Sequence, residues 1–215
     1  ITRRSKYLLI NTNNQLTILV HLGMTGKFII MNGKSKFKKT SFYYSLNKND
    51  KKHDHVIFNL SKNKKLIYND IRKFGFIKIL CSKKIYKSSH LSSLGPEPMS
   101  KSFNLKYFKN TTSNKNRTTK DILMDQKIVS GLGNIYVNEI LFLSKINPRK
   151  KIKKLKDEDI KKIIYFTKKI LKRSILEGGS SIKNFSNSDG KSGIFQQQFN
   201  VYGQTGENCI RKNCK

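Results

Sequence analysis

The chain is short of acid. It has 13 Asp and Glu against 45 Lys and Arg, a net charge of +32 on 215 residues. Self-repulsion on that scale destabilises a compact fold unless a polyanion is usually close by. The basic residues run along the whole chain, so a basic tail on a neutral domain is excluded. Cysteine is equally scarce. Three residues, Cys81, Cys209 and Cys214, cannot build the disulfide framework of a small secreted protein. No apolar run approaches the roughly 18 residues of a membrane span. The opening, ITRRSKYLLINTNN, turns polar too early for a secretory signal. These absences point to a cytoplasmic protein with no membrane partner. They leave nucleic acid as the first polyanion to consider. A competing source of the charge is a Lys- and Asn-rich proteome. An anionic membrane surface would need a basic amphipathic helix with a lipid-facing side.

With 36% hydrophobic residues, a core can be buried, and the length suits one large or two small domains. The first ninety residues read as strands. KYLLIN and QLTILVHL flank an Asn-rich turn; KFIIM, HVIFNL, KKLIYND and FGFIKIL follow. Short strands at close spacing, separated by polar stretches, predict an antiparallel sandwich or barrel. LGPEPMS holds two of the three prolines, and proline continues neither a ladder nor a helix interior. It marks the expected domain boundary. From residue 101 the period becomes helical: SFNLKYFKN, TKDILMDQKIV, NIYVNEILFLSKI and DEDIKKIIYFTKKILKRSILEGG. The last carries Ile160, Ile163, Ile164, Ile170, Leu171 and Ile175 near helical spacing. Acidic residues open it and Gly178 closes it, as the dipole and caps prefer. After Gly190, GIFQQQFNVYG reads as strand again.

Several short motifs could carry chemistry. SGLGNIYVNEIL (130–141) sets a glycine turn before a helix. The third glycine of a dinucleotide fingerprint is absent, and so is the G-K-[ST] of a P-loop. A helix start with exposed N–H groups and an Asn fits a nucleic-acid phosphate; a plain turn between packed helices is the alternative. HLGMTG (21–26) and DIRKFG (70–75) supply Met24, Arg72 and Phe74: an apolar wedge, a fork of donors and an aromatic plate. Such a set can fill the hole left by a flipped base. The same residues could equally be a Met and a Phe in a sheet core and an Arg on the surface. KHDHV offers His53 for a phosphate, with zinc conceivable but lacking a third ligand and a plain surface pair equally open. SDGKSGIF, with Ser188, Asp189, Gly190, Lys191, Ser192 and Gly193, is a donor-rich loop or a linker. Cys209 and Cys214 form C-x4-C, half of a four-ligand zinc site or two free thiols.

Taken in order, RRSKYLL, HLGMTG, KHDHV, DIRKFG, LGPEP, LMDQKIVSGLGNIYVNE, GGSSIKNF, SDGKSGIF and VYGQTGENC resemble bacterial formamidopyrimidine-DNA glycosylases over nearly the whole chain. The resemblance implies an α+β, multidomain protein. Its parts would be an antiparallel β-sandwich domain (1–98), a helix–two-turns–helix domain (99–193) and a partial zinc-finger β-hairpin (194–215). It implies base-excision repair of oxidised purines, 8-oxoguanine and formamidopyrimidines, in damaged double-stranded DNA, with strand nicking by β- and δ-elimination. It implies a structural zinc, a monomer, and a bacterial, nucleoid-associated location. Lys6 would serve β-elimination. His53, Arg72, Lys115, Lys120 and Asn134 would contact the DNA. Met24, Arg72 and Phe74 would occupy the space of the flipped base, Arg72 reading the orphaned cytosine. Residues 188–193 would cap the lesion. The chain departs from the pattern at both ends. The N-terminal Pro-Glu nucleophile segment, the second Cys pair and the finger arginine are missing. The sequence therefore reads as truncated, with no glycosylase activity of its own. A non-catalytic duplex-binding remnant and a basic RNA-binding protein are the rival readings.

Overall fold

The computed structural model describes residues 1–32, 36–39, 50–179 and 198–211. These fall into two compact units: residues 1–85 with 177–179, and residues 86–176 with 198–211.

The first unit is two four-stranded antiparallel sheets. One has the order β1-β2-β3-β8, from β1 (Thr2–Arg4), β2 (Tyr7–Asn11), β3 (Leu16–His21) and β8 (Phe76–Cys81). The other has the order β5-β4-β7-β6, from β4 (Lys27–Asn32), β5 (Lys36–Lys39), β6 (Asp54–Leu60) and β7 (Lys64–Asn69). Val20, Phe28 and Tyr68 form the centre, with Leu8, Ile10, Ile18 and Ile77 of the first sheet and Val56, Phe58 and Leu66 of the second packed against them. Alternate residues thus turn inward from both sheets, as a sandwich requires. Strands β1 and β5 gave no signal in the sequence. TRR and KFKK lack apolar alternation because both are edge strands, where charge blocks further pairing.

The second unit is helical. It comprises α1 (Leu105–Thr112), α2 (Thr119–Met124), α3 (Asn134–Leu143) and α4 (Asp157–Leu176). Asn104 caps α1 by accepting from Tyr107 N at 2.9 Å, and Thr118 caps α2 by accepting from Asp121 N at 3.2 Å. Each satisfies one of the donors a helix start leaves open. The longest helix, α4, buries Ile160, Ile163, Thr167, Ile170 and Ser174, a stripe at i, i+3, i+7, i+10 and i+14. Ile175, read from sequence as part of that stripe, is 70% exposed; it lies one residue past the buried Ser174, off the stripe. Gly178 follows with φ 75°, the left-handed conformation that ends helices cheaply.

Other expectations are corrected. Helix α2 stops at Met124 instead of running through Val129, because Asp125 is extended and its carboxylate accepts from Lys127 N at 3.0 Å. The LGPEP segment packs within the helical unit: Gly95 N donates to Gln126 O at 2.9 Å and Ser130 N to Pro96 O at 3.0 Å. FNVYG is not a strand. Among the described residues 198–211 the chain runs through turns, and the backbone N–H groups of Asn200, Val201 and Tyr202 point at one carboxylate, that of Glu139. A strand would have directed alternate groups to opposite sides.

Candidate nucleic-acid interface

Register gathers one set of residues at one end of the sandwich. Tyr7, the first residue of β2, pairs with His21, the last of β3, and His21 pairs with Phe76, the first of β8. The three rings form a triangle: Tyr7 to His21 at 5.1 Å, His21 stacked on Phe76 at 5.7 Å, and Tyr7 to Phe76 at 6.2 Å. Three connections therefore leave the same edge: the β1–β2 turn with Lys6, the β3–β4 turn with Met24, and the β7–β8 turn with Arg72 and Phe74. In the second sheet, Asn69 at the end of β7 pairs with Lys27 and Asp54. This brings the start of β6, preceded by His53, to the same place. The carbonyl of His53 accepts from Asp70 N at 3.1 Å.

Met24, Arg72 and Phe74 meet. The Arg72 guanidinium lies 4.5 Å from the centre of the Phe74 ring, and its Nη1 donates to Met24 Sδ at 3.3 Å. Met24 is 59% and Phe74 56% exposed. A core assignment for either is thus excluded, and a large apolar pair presented to solvent around a guanidinium calls for a partner.

The turns beneath are held by Asp70, which is fully buried. Its carboxylate accepts from Thr25 Oγ1, from Gly75 N at 2.8 Å, from Tyr68 OH at 3.1 Å and from Arg72 N at 3.3 Å. Desolvation pushes its pKa up, but the donors outweigh it and hold the carboxyl below the ordinary value. Tyr68 responds in the opposite sense: burial, then the Asp70 charge and hydrogen bond, push the phenol well above its usual pKa. Gly75 admits no side chain, since a Cβ there would stand 2.6 Å from the His21 carbonyl oxygen. Neither Asp70 nor Thr25 was singled out in the sequence. The legible signal was the Asx turn, an Asp whose side chain accepts from the backbone two residues on.

Lys6 occupies the second position of the two-residue β1–β2 turn, after Ser5 with φ 56°. Lys6 is exposed to solvent, yet the protein around its ammonium desolvates it and lowers its pKa. His55, the other histidine of KHDHV, hydrogen-bonds Asp70 O at 2.8 Å through Nε2. The two histidines thus serve the backbone of the same turn, one through its carbonyl and one through its ring.

In the helical unit the glycine turn is built by Gln126. Its Nε2 donates to Leu132 O at 2.9 Å and Met124 O at 3.0 Å, and its Oε1 accepts from Gly131 N at 2.7 Å. Gly131 takes φ 93°. Gly133 is the N-cap of α3 and offers no side chain to it, so the positive end of the helix is left to an outside anion. Asn134 is exposed in the first turn, with its Oδ1 3.4 Å from Asn138 Nδ2. Lys120 is half-buried in the first turn of α2, and Lys115 follows α1.

Cys209 is exposed. Cys214 and the loop residues Ser188, Asp189, Gly190, Lys191, Ser192 and Gly193 lie outside the described residues. Among the described residues no three His, Cys, Asp or Glu side chains cluster as metal ligands. A tetrahedral zinc needs four donors, and the pair Cys209 and Cys214 would give two. Two donors fall short of the four that a structural zinc needs. No described helix is long and apolar enough to cross a membrane.

The architecture defines a class first. Residues 1–77 match the model of the formamidopyrimidine-DNA glycosylase N-terminal domain, and residues 94–186 match that of the formamidopyrimidine-DNA glycosylase H2TH domain. A formamidopyrimidine-DNA glycosylase of Rickettsia bellii is 43% identical over 210 residues, covering 98% of this chain and 72% of the relative. That of Rickettsia felis is 39% identical over 214 residues, again covering 72% of the relative. The Lactococcus lactis enzyme, solved in complex with DNA containing an abasic site, superposes with a TM-score of 0.82 at 32% identity, over 98% of this chain and 72% of that one. The chain belongs to the formamidopyrimidine-DNA glycosylase family.

Proposed function

We propose that the chain is the DNA-engaging body of a DNA glycosylase that removes oxidised purines from duplex DNA by base flipping. The carrying observation is the exposed cluster of Met24, Arg72 and Phe74 at one end of the sandwich. A flipped base leaves a gap lined by stacked bases, which apolar side chains can fill, and an orphaned partner, which a guanidinium can address. The strong positive charge supports duplex binding through phosphates. His53, Lys115, Lys120 and Asn134 are the proposed phosphate contacts. The SGLGN turn would take a DNA phosphate at the uncapped start of α3. Lys6 is the proposed proton donor for β-elimination: a depressed ammonium pKa makes its proton easier to give. Residues 188–193 retain the proposed role of capping the lesion. The family resemblance implies a secondary-amine nucleophile from an N-terminal proline.

The test is a binding competition. The chain is titrated with a duplex containing 8-oxoguanine opposite cytosine, the undamaged duplex and single-stranded RNA at several salt concentrations. Preference for the lesion duplex, with affinity falling steeply as salt rises, is expected. Equal binding to undamaged duplex supports the remnant reading, and preference for RNA overturns the assignment.

A further inference from the structure

We propose that the Thr25 hydroxyl, clamped between Asp70 and the backbone of Arg72, is the positioning link that makes Met24, Arg72 and Phe74 one rigid wedge. The inference rests on the reading of that cluster as a base-gap filler, and deepens it.

The wedge is assembled from two separate turns, β3–β4 and β7–β8. Its exposed contacts cannot set its shape. A guanidinium on a solvent-facing ring and an N–H on a thioether are both weak and adaptable. The rigidity lies underneath. Thr25 is 2% exposed and directly follows Met24 in the chain. Its hydroxyl donates to Asp70 Oδ1 and accepts from Arg72 N at 3.0 Å. Both capacities of one hydroxyl are thus used to tie the Met24 turn to the Arg72 turn. Asp70 spreads the tie: Oδ2 accepts from Gly75 N beyond Phe74, and from Tyr68 in the core. The two backbones also touch, because a Cβ on Gly23 would lie 2.7 Å from Gly75 N and from Phe74 C. Lys73, between Arg72 and Phe74, holds φ 56°, a conformation a non-glycine residue keeps only where the surroundings dictate it. The buried hydroxyl and carboxylate are those surroundings. Neither reaches solvent, so neither touches DNA: they act through Arg72, Phe74 and Met24.

The experiment compares Thr25→Val, which keeps shape and loses the hydroxyl, with Thr25→Ser, which keeps the hydroxyl. Each is read in three ways: amide hydrogen exchange at Arg72 and Gly75 without DNA, affinity for undamaged duplex, and fluorescence of 2-aminopurine placed opposite an abasic analogue. Thr25→Val is expected to raise exchange at Arg72. It should leave undamaged-duplex affinity alone and cut lesion preference about tenfold, the scale of one buried hydrogen bond, with a matching loss of the 2-aminopurine signal. Thr25→Ser is expected to restore all of these. If Thr25→Val does not fold, Asp70→Asn, which keeps volume and replaces an acceptor by a donor, takes its place against the same readouts. Wild-type exchange and wild-type 2-aminopurine response in Thr25→Val would overturn the link. So would equal failure of Thr25→Ser. Unprotected Arg72 and no lesion preference even in the wild type would sink the function reading and the link together. A protected Arg72 that Thr25→Val exposes, in a chain without lesion preference, sinks the function reading alone.

Discussion

Removing Glu139 should free the C-terminal segment from α3. Glu139 is 2% exposed and accepts four hydrogen bonds: from Asn200 N at 2.9 Å, Asn200 Nδ2 at 2.8 Å, Val201 N at 3.0 Å and Tyr202 N at 2.9 Å. These are charge-assisted bonds in a dry site, and three of the donors are backbone groups that residues in a ladder would have paired. Glu139→Ala leaves all four without that acceptor. Breaking a buried charged contact by deleting one side costs about 3–5 kcal/mol. The segment can limit the loss by peeling into water, so detachment is the expected outcome and the lower end of the range the expected size. About 3 kcal/mol corresponds to roughly a hundredfold loss of exchange protection at the amides of 200–202. Phe199, 8% exposed and in edge contact with Tyr202 at 5.9 Å, would be carried out with them. The assay is amide hydrogen exchange on wild type and Glu139→Ala, with a tryptic digest to follow cleavage after Lys and Arg in the tail. Glu139→Gln should fall between the two, since its amide meets donors with a donor at one position. Unchanged protection of Asn200, Val201 and Tyr202 in Glu139→Ala would refute the idea that the carboxylate holds them.

Other consequences follow from the same geometry. Gly75→Ala should destabilise the sandwich unit by roughly 2–3 kcal/mol through overpacking, because its Cβ would press on Tyr68 OH and the His21 carbonyl; an unchanged melting temperature would count against the packing described. Lys120→Ala should weaken duplex binding uniformly across sequences and reduce the salt slope by about 1, read from titrations at several salt concentrations; an unaltered slope removes it from the phosphate contacts. Gln126→Ala should loosen the glycine turn and weaken duplex binding with little effect on the sandwich unit; normal binding would separate the turn from the phosphate. Asp125 and Asp159 both have pKa values held below the ordinary carboxylate. At Asp125 the Arg117 and Lys127 donors outweigh desolvation, and at Asp159 the Lys150 bond is the largest influence. A depressed folded-state pKa gives stability that is complete above the unfolded value and lost as pH falls through the folded one. The helical unit should therefore lose stability progressively as pH falls from the ordinary carboxylate value through the lower folded-state one, read by denaturant melts followed by circular dichroism, and Asp125→Asn should flatten that acid limb.

Much of this was legible in the sequence. Period-2 runs gave six of the eight strands because those strands have one face in the core, and Ile160, Ile163 and Ile170 gave α4 for the same reason at period 3.6. What the pattern could not give are elements whose stability comes from elsewhere. Strands β1 and β5 are held at the sheet edges by backbone pairing, which leaves no period in the sequence. The 199–202 segment looked like a strand because FNVY alternates, yet its backbone donors are taken by Glu139, 61 positions before Asn200. Of the site, Met24, Arg72 and Phe74 were readable as a chemical set, but their convergence depends on register: Tyr7 opposite His21, and His21 opposite Phe76. Asp70 offers only the general signal of an Asx turn, and Gln126 carries none, because one Gln in a polar stretch looks like any solvated residue.

Asp70, Gln126 and Glu139 share one physical task. A turn that presents side chains to a polyanion cannot also bury them, and its backbone donors have no ladder to join. Each of these turns is closed instead by one planar side chain from below: Asp70 accepts from the N–H groups of Arg72 and Gly75, Gln126 accepts from Gly131 N and donates to Leu132 O, and Glu139 accepts from the N–H groups of 200–202. Two of the three are carboxylates in a chain with only 13. That choice suits the charge balance. A buried carboxylate that accepts several N–H groups is satisfied without a cation, so lysine and arginine side chains are left for the surface. Swapping Asp70 or Glu139 for a neutral residue would raise the net charge further and remove the scaffold of the basic surface in the same step. The loss of DNA recognition should then exceed the small effect expected from charge alone, whose sign, towards tighter binding, is the opposite.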